Sequence, residues 1–471
     1  MSKPALSLSD QLNGIMTSYK QHFKSTLSLA YPVIIGQLGH VMMGVVDSLM
    51  VGRIGAVPLA AASISNGIFF IIFVVGLGIS FAISPLIAIA VGAQKHDNFR
   101  SILVNGIFLN VITALIIVLI LYFGADIIYK LDQPADVAEH AVQYLKIISF
   151  SAIPMMVFQT YRQFIEGLSI MRPAMVITIM ANVLNILGNW ILIFGNLGLP
   201  ALGLNGAGIS TFITRSFMGF MMVYYVMHAD RFKEYNLRFR FQDIDFTVVK
   251  RILSIGLPSG IQYFFEVGAF ASSAILVGWL GTRELAAHQI AMNLATITYM
   301  AATGISAAAA IRVANCVGQR DIAETRKAGF SAIIFTVGMM TVFGIVFILF
   351  NHKLPEFYID DTGVIQYAAG LLIIAAFFQI ADGTQAVGLG ALRGLTDVKF
   401  PTVITFIAYW ILGVPSGYLL AFVFNLGVNG VWFGYIVGLY ASGLMLTIRF
   451  NVKSKHAVEV YEDTAVLTRE E

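Results

Sequence analysis

Three carboxylates stand inside apolar runs: Asp47 in GHVMMGVVDSLMVG, Glu266 in QYFFEVGAFASSAILVGWLG and Asp382 in FFQIADGTQAVGLG. A charge at the centre of a membrane helix costs at least ~2.5 kcal/mol, so an acid kept there is a candidate for holding a proton or a cation. Amides accompany the acids. Asn182, Asn185 and Asn189, spaced i, i+3, i+7, share one helix face. Gln289 and Asn293 form an i, i+4 pair, Gln262 lies one turn before Glu266, and Gln379 lies three residues before Asp382. Such groups donate to a carboxylate or offer oxygen ligands to a hard cation such as Na⁺. Any single amide is better read as a helix-joining contact, worth ~0.6 kcal/mol on average. For the acids the competing reading is a buried ion pair, and Arg215 is the possible partner of Asp47.

Other signals point away from enzyme chemistry. No nucleophile–base set appears, and no cofactor motif stands up. GLGALRG at 388–394 looks like a phosphate loop, but no strand precedes it and close helix packing explains its glycines. His40 and His288 read as satisfied packing histidines, because no second His or Cys sits at metal-ligand spacing.

The elements that position the acids follow from composition. Of 471 residues, 58% are hydrophobic and 12% charged, with a net charge of +3. That is about half the charged fraction of soluble domains. The mean hydropathy of +0.81 fits a polytopic membrane protein, and the small net charge gives no reason to expect nucleic acid. The polar start, residues 1–25, lacks the apolar core of a signal peptide and is expected at the membrane interface. A bilayer core of ~30 Å needs about 20 apolar residues per helix. Twelve spans are predicted, near 28–52, 59–90, 101–123, 138–160, 173–195, 203–228, 249–278, 284–310, 328–350, 364–388, 400–422 and 427–449. With both termini cytoplasmic, the opposite face receives only Arg53, Lys130, Arg283 and Lys353, as the positive-inside rule requires.

The chain also repeats itself. VGRIGAVPLAAASI at 51–64 matches VGWLGTRELAAHQI at 277–290, and the same offset pairs Pro32 with Pro258 and Arg100 with Arg326. LGLNG at 202–206 matches LGVNG at 426–430. The fold class expected is therefore an all-α integral membrane protein. Its twelve transmembrane helices form two homologous six-helix bundles, 1–235 and 236–471, related by a pseudo-twofold along the membrane normal. Transporters are frequently built on such repeats. Under the repeat Asp47 aligns with Ser273 and Glu266 with His40, so the halves carry different chemistry on a common frame.

LAAHQIAMN, FFEVGAF, DSLMVGRIG and ADGTQAVGLGALRG together resemble the MATE family, the multidrug and toxic compound extrusion transporters, in its bacterial NorM-like branch. The resemblance runs over roughly 25–450. It implies export of cationic or amphipathic drugs by antiport with Na⁺ or H⁺, with no cofactor besides the coupling ion. It implies a cation site at Glu266 and Asp382, and a proton or substrate site at Asp47 with Asn185, Asn189 and Thr211. Pro32 matches a proline at which the first helix can bend. Phe378 departs from the Tyr that close relatives can carry, which leaves the choice between Na⁺ and H⁺ open. Expected partners are small organic cations and the lipid bilayer of a bacterial inner membrane, with the chain acting as a monomer. The alternative is a flippase or exporter of lipid-linked saccharides. It would line its path with several basic residues, and the only arginine deep in a predicted span is Arg215.

Overall fold

The bilayer core offers a backbone no hydrogen-bond partners, so a chain this apolar must close its peptide bonds internally. In a computed structural model, which describes residues 8–465 except Arg238, it does so as helices, with no strand among the described residues. The first half of the chain supplies α1 (Leu8–Gly52), α2 (Ala56–Ser80), α3 (Ile83–Gly92), α4 (Asp97–Gly124), α5 (Ala135–Ser149), α6 (Ala152–Gly167), α7 (Arg172–Leu192) and α8 (Gly203–His228). The second supplies α9 (Phe246–Gly278), α10 (Thr282–Gly318), α11 (Ile322–Leu349), α12 (Lys353–Glu356), α13 (Thr362–Gly394), α14 (Lys399–Phe406), α15 (Val414–Tyr418), α16 (Gly427–Lys453) and α17 (Ala457–Ala465). Residues 8–25, expected ahead of the first span, are the unbroken beginning of α1, and residues 1–7 lie outside the described residues.

Among the described residues, ten helical stretches are long and apolar enough to cross a membrane, and α5 with α6, bent by 42° at their break, makes an eleventh. The remaining predicted span is α8. At 26 residues it is long enough, but Ser210, Thr211, Thr214, Arg215 and Ser216 dilute its apolar character.

The duplication is written into the backbone. Gly55 and Gly281 precede α2 and α10 at φ 135° and 152°, a region open to glycine alone. Gln94 and Arg320 take the left-handed conformation after α3 and α10, at φ 57° and 59°. Ser169 and Thr396 do so after α6 and α13, at φ 62° and 53°. The same closing bonds recur. The Lys95 and Asp321 N–H groups donate to Ala90 and Cys316 at 2.9 and 3.2 Å, and those of Ile170 and Asp397 donate to Ile165 and Leu392 at 2.8 and 3.0 Å. These bonds satisfy carbonyls that a helix end leaves open.

The described chain forms two compact units. One takes the chain up to Ile34, Ala269–Asp397 and Ile404–Asp463, and the other takes Ile35–Gly268 and Val398–Val403. The division runs through α1 and α9, so each unit holds the first part of a helix that begins the other repeat. In the first unit α16 lies against the stretch 407–423, which contains two π-helical segments, Ile407–Gly413 and Leu419–Val423. Glycines permit the approach: a Cβ on Gly434 would stand 2.4 Å from the Cα of Gly417. In the second unit Gly78 meets Gly260 as closely, around a core that includes Ile83, Leu86, Phe158 and Phe164. At the exposed start of α13, Asp361 accepts the Val364 and Gly363 N–H groups, which hold its carboxyl below the ordinary value.

Gly434→Ala forces overpacking, which costs ~1–3 kcal/mol, and is expected to lower the melting temperature of the purified protein. Gly370→Ala, with no atom within 4 Å of the new Cβ, is expected to leave it unchanged or raise it. Equal melting temperatures for the two variants would contradict the close seam.

Candidate functional site

Asp47 sits on α1, and the second unit builds its surroundings from α7 and α8. Asn189 Nδ2 donates to Asp47 Oδ1 at 2.6 Å and to Asn185 Oδ1 at 3.3 Å. Both asparagines are fully buried, one turn apart on α7, as their spacing predicts. Asn185 and Thr211 lie beside the same carboxylate, outside full hydrogen-bond geometry. The Thr211 hydroxyl donates to the Ala207 carbonyl at 3.0 Å. Close contact of α7 with α8 makes this possible: Gly188 faces Ser210, whose hydroxyl donates to the Asn185 carbonyl at 3.3 Å. The third amide of the expected face, Asn182, turns away and donates to the Thr178 carbonyl at 2.9 Å.

Arg215 is not an ion-pair partner of Asp47. Its Nη1 donates to Ser151 Oγ at 2.7 Å, and its guanidinium lies 4.7 Å from the centre of the Phe69 ring. Its charge still reaches Asp47 through space. Three polar atoms in this region keep unspent hydrogen-bonding capacity: Asn185 Nδ2, Asn189 Oδ1 and Thr214 Oγ1. A carboxylate ringed by amides and a hydroxyl can hold a proton or a small cation.

Glu266 and Asp382 are each 5% exposed and belong to different compact units. On α9, Gln262 accompanies Glu266 one turn away, buried with its Nε2 unbonded. On α13, Gln379, Asp382 and Gln385 recur every three residues and all are buried. Gln385 Nε2 donates to the Tyr409 hydroxyl at 2.8 Å, and that tyrosine sits in the first π-helical segment. Both polar atoms of Gln379 are without a hydrogen bond. Phe378 packs edge-on against Trp432, with centroids 5.6 Å apart. Trp432 Nε1 donates to His288 Nδ1 at 3.1 Å, so His288 is the satisfied packing histidine expected. His40 is not. Its Nε2 is buried without a partner, its ring meets the edge of Phe158, and Arg162 and Arg215 act on it electrostatically. Pro32 lies inside α1, where it removes one helical N–H.

Sequence reasoning missed a buried ion pair. Arg162 Nε donates to Glu166 Oε1 at 2.6 Å, and Gln163 adds a bond to Oε2 at 3.3 Å, with both charged side chains nearly inaccessible. The predicted fourth span, 138–160, ends before these residues, whereas α6 continues to Gly167. The i, i+4 Arg–Glu spacing was the available signal.

A profile of the MatE family matches residues 32–191 and 258–419, two segments that begin at the paired prolines. The probable multidrug resistance protein NorM of Agrobacterium fabrum is 35% identical over 438 residues, covering 92% of this chain and 94% of its own. The multidrug resistance protein MdtK of Edwardsiella ictaluri is 35% identical over 439 residues, with 92% and 96% covered. Among solved structures, the eukaryotic MATE transporter AtDTX14 superposes with a TM-score of 0.85 at 20% identity, covering 94% of this chain and 100% of that one.

Asp47→Asn keeps an oxygen for the Asn189 donor, so the variant is expected to fold with an unchanged melting temperature. It removes the negative charge with which this site could hold a proton or a cation. Transport coupled through this site should fall at least about tenfold, the equivalent of ~1.4 kcal/mol. Full activity in reconstituted vesicles would show that the carboxylate is dispensable.

Proposed function

From the premise that this chain belongs to the MatE family of multidrug efflux transporters, and is not an enzyme, we propose that it exports cationic or amphipathic compounds by antiport with Na⁺ or H⁺. The observation that carries the reading is an acid, Asp47, half-buried in an apolar run of α1 and held by the fully buried Asn189. Such an arrangement is maintained against a cost and answers to a transported ion. Glu266 and Asp382 are the proposed carriers of the coupling cation. Asp47, with Asn185, Asn189 and Thr211, is the second, proton- or substrate-linked site.

The mechanism uses charge. Ionised acids attract a cationic drug. A proton or Na⁺ arriving from the opposite side neutralises them and removes that attraction, so drug leaves as the ion enters. Coupling requires the ion to bind the two access states with different affinity, because equal affinity shifts nothing. Lobes 1–235 and 236–471 are the proposed moving parts, with Pro32 as a bend in α1. The chain works as a monomer in the bacterial inner membrane with both termini cytoplasmic. The basic connections support that orientation.

The test is efflux of a fluorescent organic cation from proteoliposomes, with Na⁺ and pH gradients imposed separately. An inward Na⁺ gradient that alone drives export assigns Glu266 and Asp382 to sodium. A pH gradient that alone drives it makes protonation the coupling step. Glu266→Gln and Asp382→Asn are expected to abolish the response to the driving ion while leaving the protein folded. Retention of full ion-driven export by both variants would sink the assignment.

A further inference from the structure

We propose that His22, Arg312 and Glu324 form a proton-sensitive latch that holds the first half of α1 against α10 and α11. All three residues lie within one compact unit. Arg312, on α10, donates Nη1 to the His22 carbonyl at 2.9 Å and to Thr26 Oγ1 at 2.6 Å, while its Nη2 meets His22 Nδ1 at 2.5 Å. On the other side of the ring, His22 Nε2 stands 3.2 Å from Glu324 Oε2 on α11.

The partners dictate the protonation state. A guanidinium has donors only, so Nδ1 must present its lone pair. The single ring proton then sits on Nε2, where Glu324 accepts it. The neutral ring satisfies both neighbours at once. A second proton can go only onto Nδ1, where it would face the N–H groups of Arg312 and cancel that bond.

The surrounding charges do not compensate. Arg312 faces His22 from α10, with Cys316 one turn beyond it. From α11, Glu324 and Lys327 face it. Lys327 already occupies the other oxygen of Glu324, at 2.9 Å. A charged His22 would therefore be a third cation around one carboxylate. Imidazole in water takes up its proton near pH ~6.5. Acid on the N-terminal face thus favours the released arrangement, in which the ring is hydrated.

The latch has a structural consequence. The part of α1 that belongs to this unit ends at Ile34, and near that end Gly304 of α10 packs against the Ala30 carbonyl and Ile34. Without the latch, this apolar contact holds the helix with less help from its polar end. On the proposed orientation the face is cytosolic, so the device would make transport responsive to acidification of the cell interior.

The test is hydrogen–deuterium exchange of amides 21–34 in the full chain in nanodiscs, at about pH 7.5 and 5.5, either side of the imidazole range. His22→Asn keeps an oxygen for Arg312 and cannot take up a proton. Comparison at each pH cancels the intrinsic exchange rate. Wild type and His22→Asn should exchange alike at the higher pH. At the lower, wild type should exchange about tenfold faster, the effect of losing one hydrogen bond to a charged group. An equal ratio at both pH values would overturn the latch. Glu324→Gln keeps an acceptor for Nε2 but removes the one charge that tolerates an imidazolium, so release should begin at higher pH; an unchanged onset would also overturn it. Neither readout requires transport, so failure here is distinguishable from failure of the antiport reading.

Discussion

A polar group that reaches the bilayer core without a hydrogen-bond partner loses several kcal/mol, and the architecture follows from avoiding that loss. Helices close the backbone bonds. Where a helix stops, as at Gly92 and Gly318, a left-handed residue and a bond reaching back to the last turn close the open carbonyls. Five side-chain hydroxyls within the helices follow the same rule: Thr178, Thr211, Ser259, Ser273 and Thr336 each donate to the carbonyl four residues earlier. Lipid supplies no hydrophobic drive between helices, so cohesion falls to close packing. Hence the backbone contacts of Gly78 with Gly260 and of Gly417 with Gly434.

Against this background the retained polar side chains divide into two kinds. Arg162 and Glu166 neutralise one another on a single helix turn, and their burial calls for no ligand. Such a pair is weak evidence for function, since burial offsets most of its Coulomb gain. Asp47 differs, because what holds it is neutral: an amide that donates one bond and leaves its own oxygen unspent. The repeat sharpens the distinction. Pro32 and Pro258 keep their places in the two long helices, whereas the position of Asp47 is a serine in the second half. The two halves thus share a frame while differing in the charged groups it carries.

Much of this is legible in the sequence. Apolar runs located the long helices, because each must offer about 20 apolar residues to the bilayer core. Periodicity put Asn185 and Asn189 on one face, since α7 is regular there. The failures share a cause. The end of α6 is hidden in the sequence because Arg162 and Glu166 look like loop residues until their mutual pairing is known. Arg215 seemed a partner for Asp47 because span membership says nothing about which hydroxyl or ring a guanidinium reaches first, and it found Ser151 and Phe69. The π-helical segments at 407–413 and 419–423 have no period of their own in an apolar sequence. Nor does sequence announce that compact units exchange the beginnings of α1 and α9, since nothing local changes at residues 34 or 268.

The unspent capacity around Asp47 bears on what the proposed antiport would ask of such a site. A fully satisfied network in a low-dielectric interior is rigid and gives no advantage to an arriving ion, because every donor and acceptor is already engaged. A bare carboxylate errs the other way and would hold its first proton or cation too firmly to release it. Asn189 donating to Asp47 while its own oxygen and the Asn185 amide nitrogen remain open lies between these limits. Small movements of α1 against α7 and α8 can then add or remove ligands without stranding the acid. Each such exchange changes the ion's affinity between arrangements, and that difference, not tight binding in either one, is what can be converted into transport.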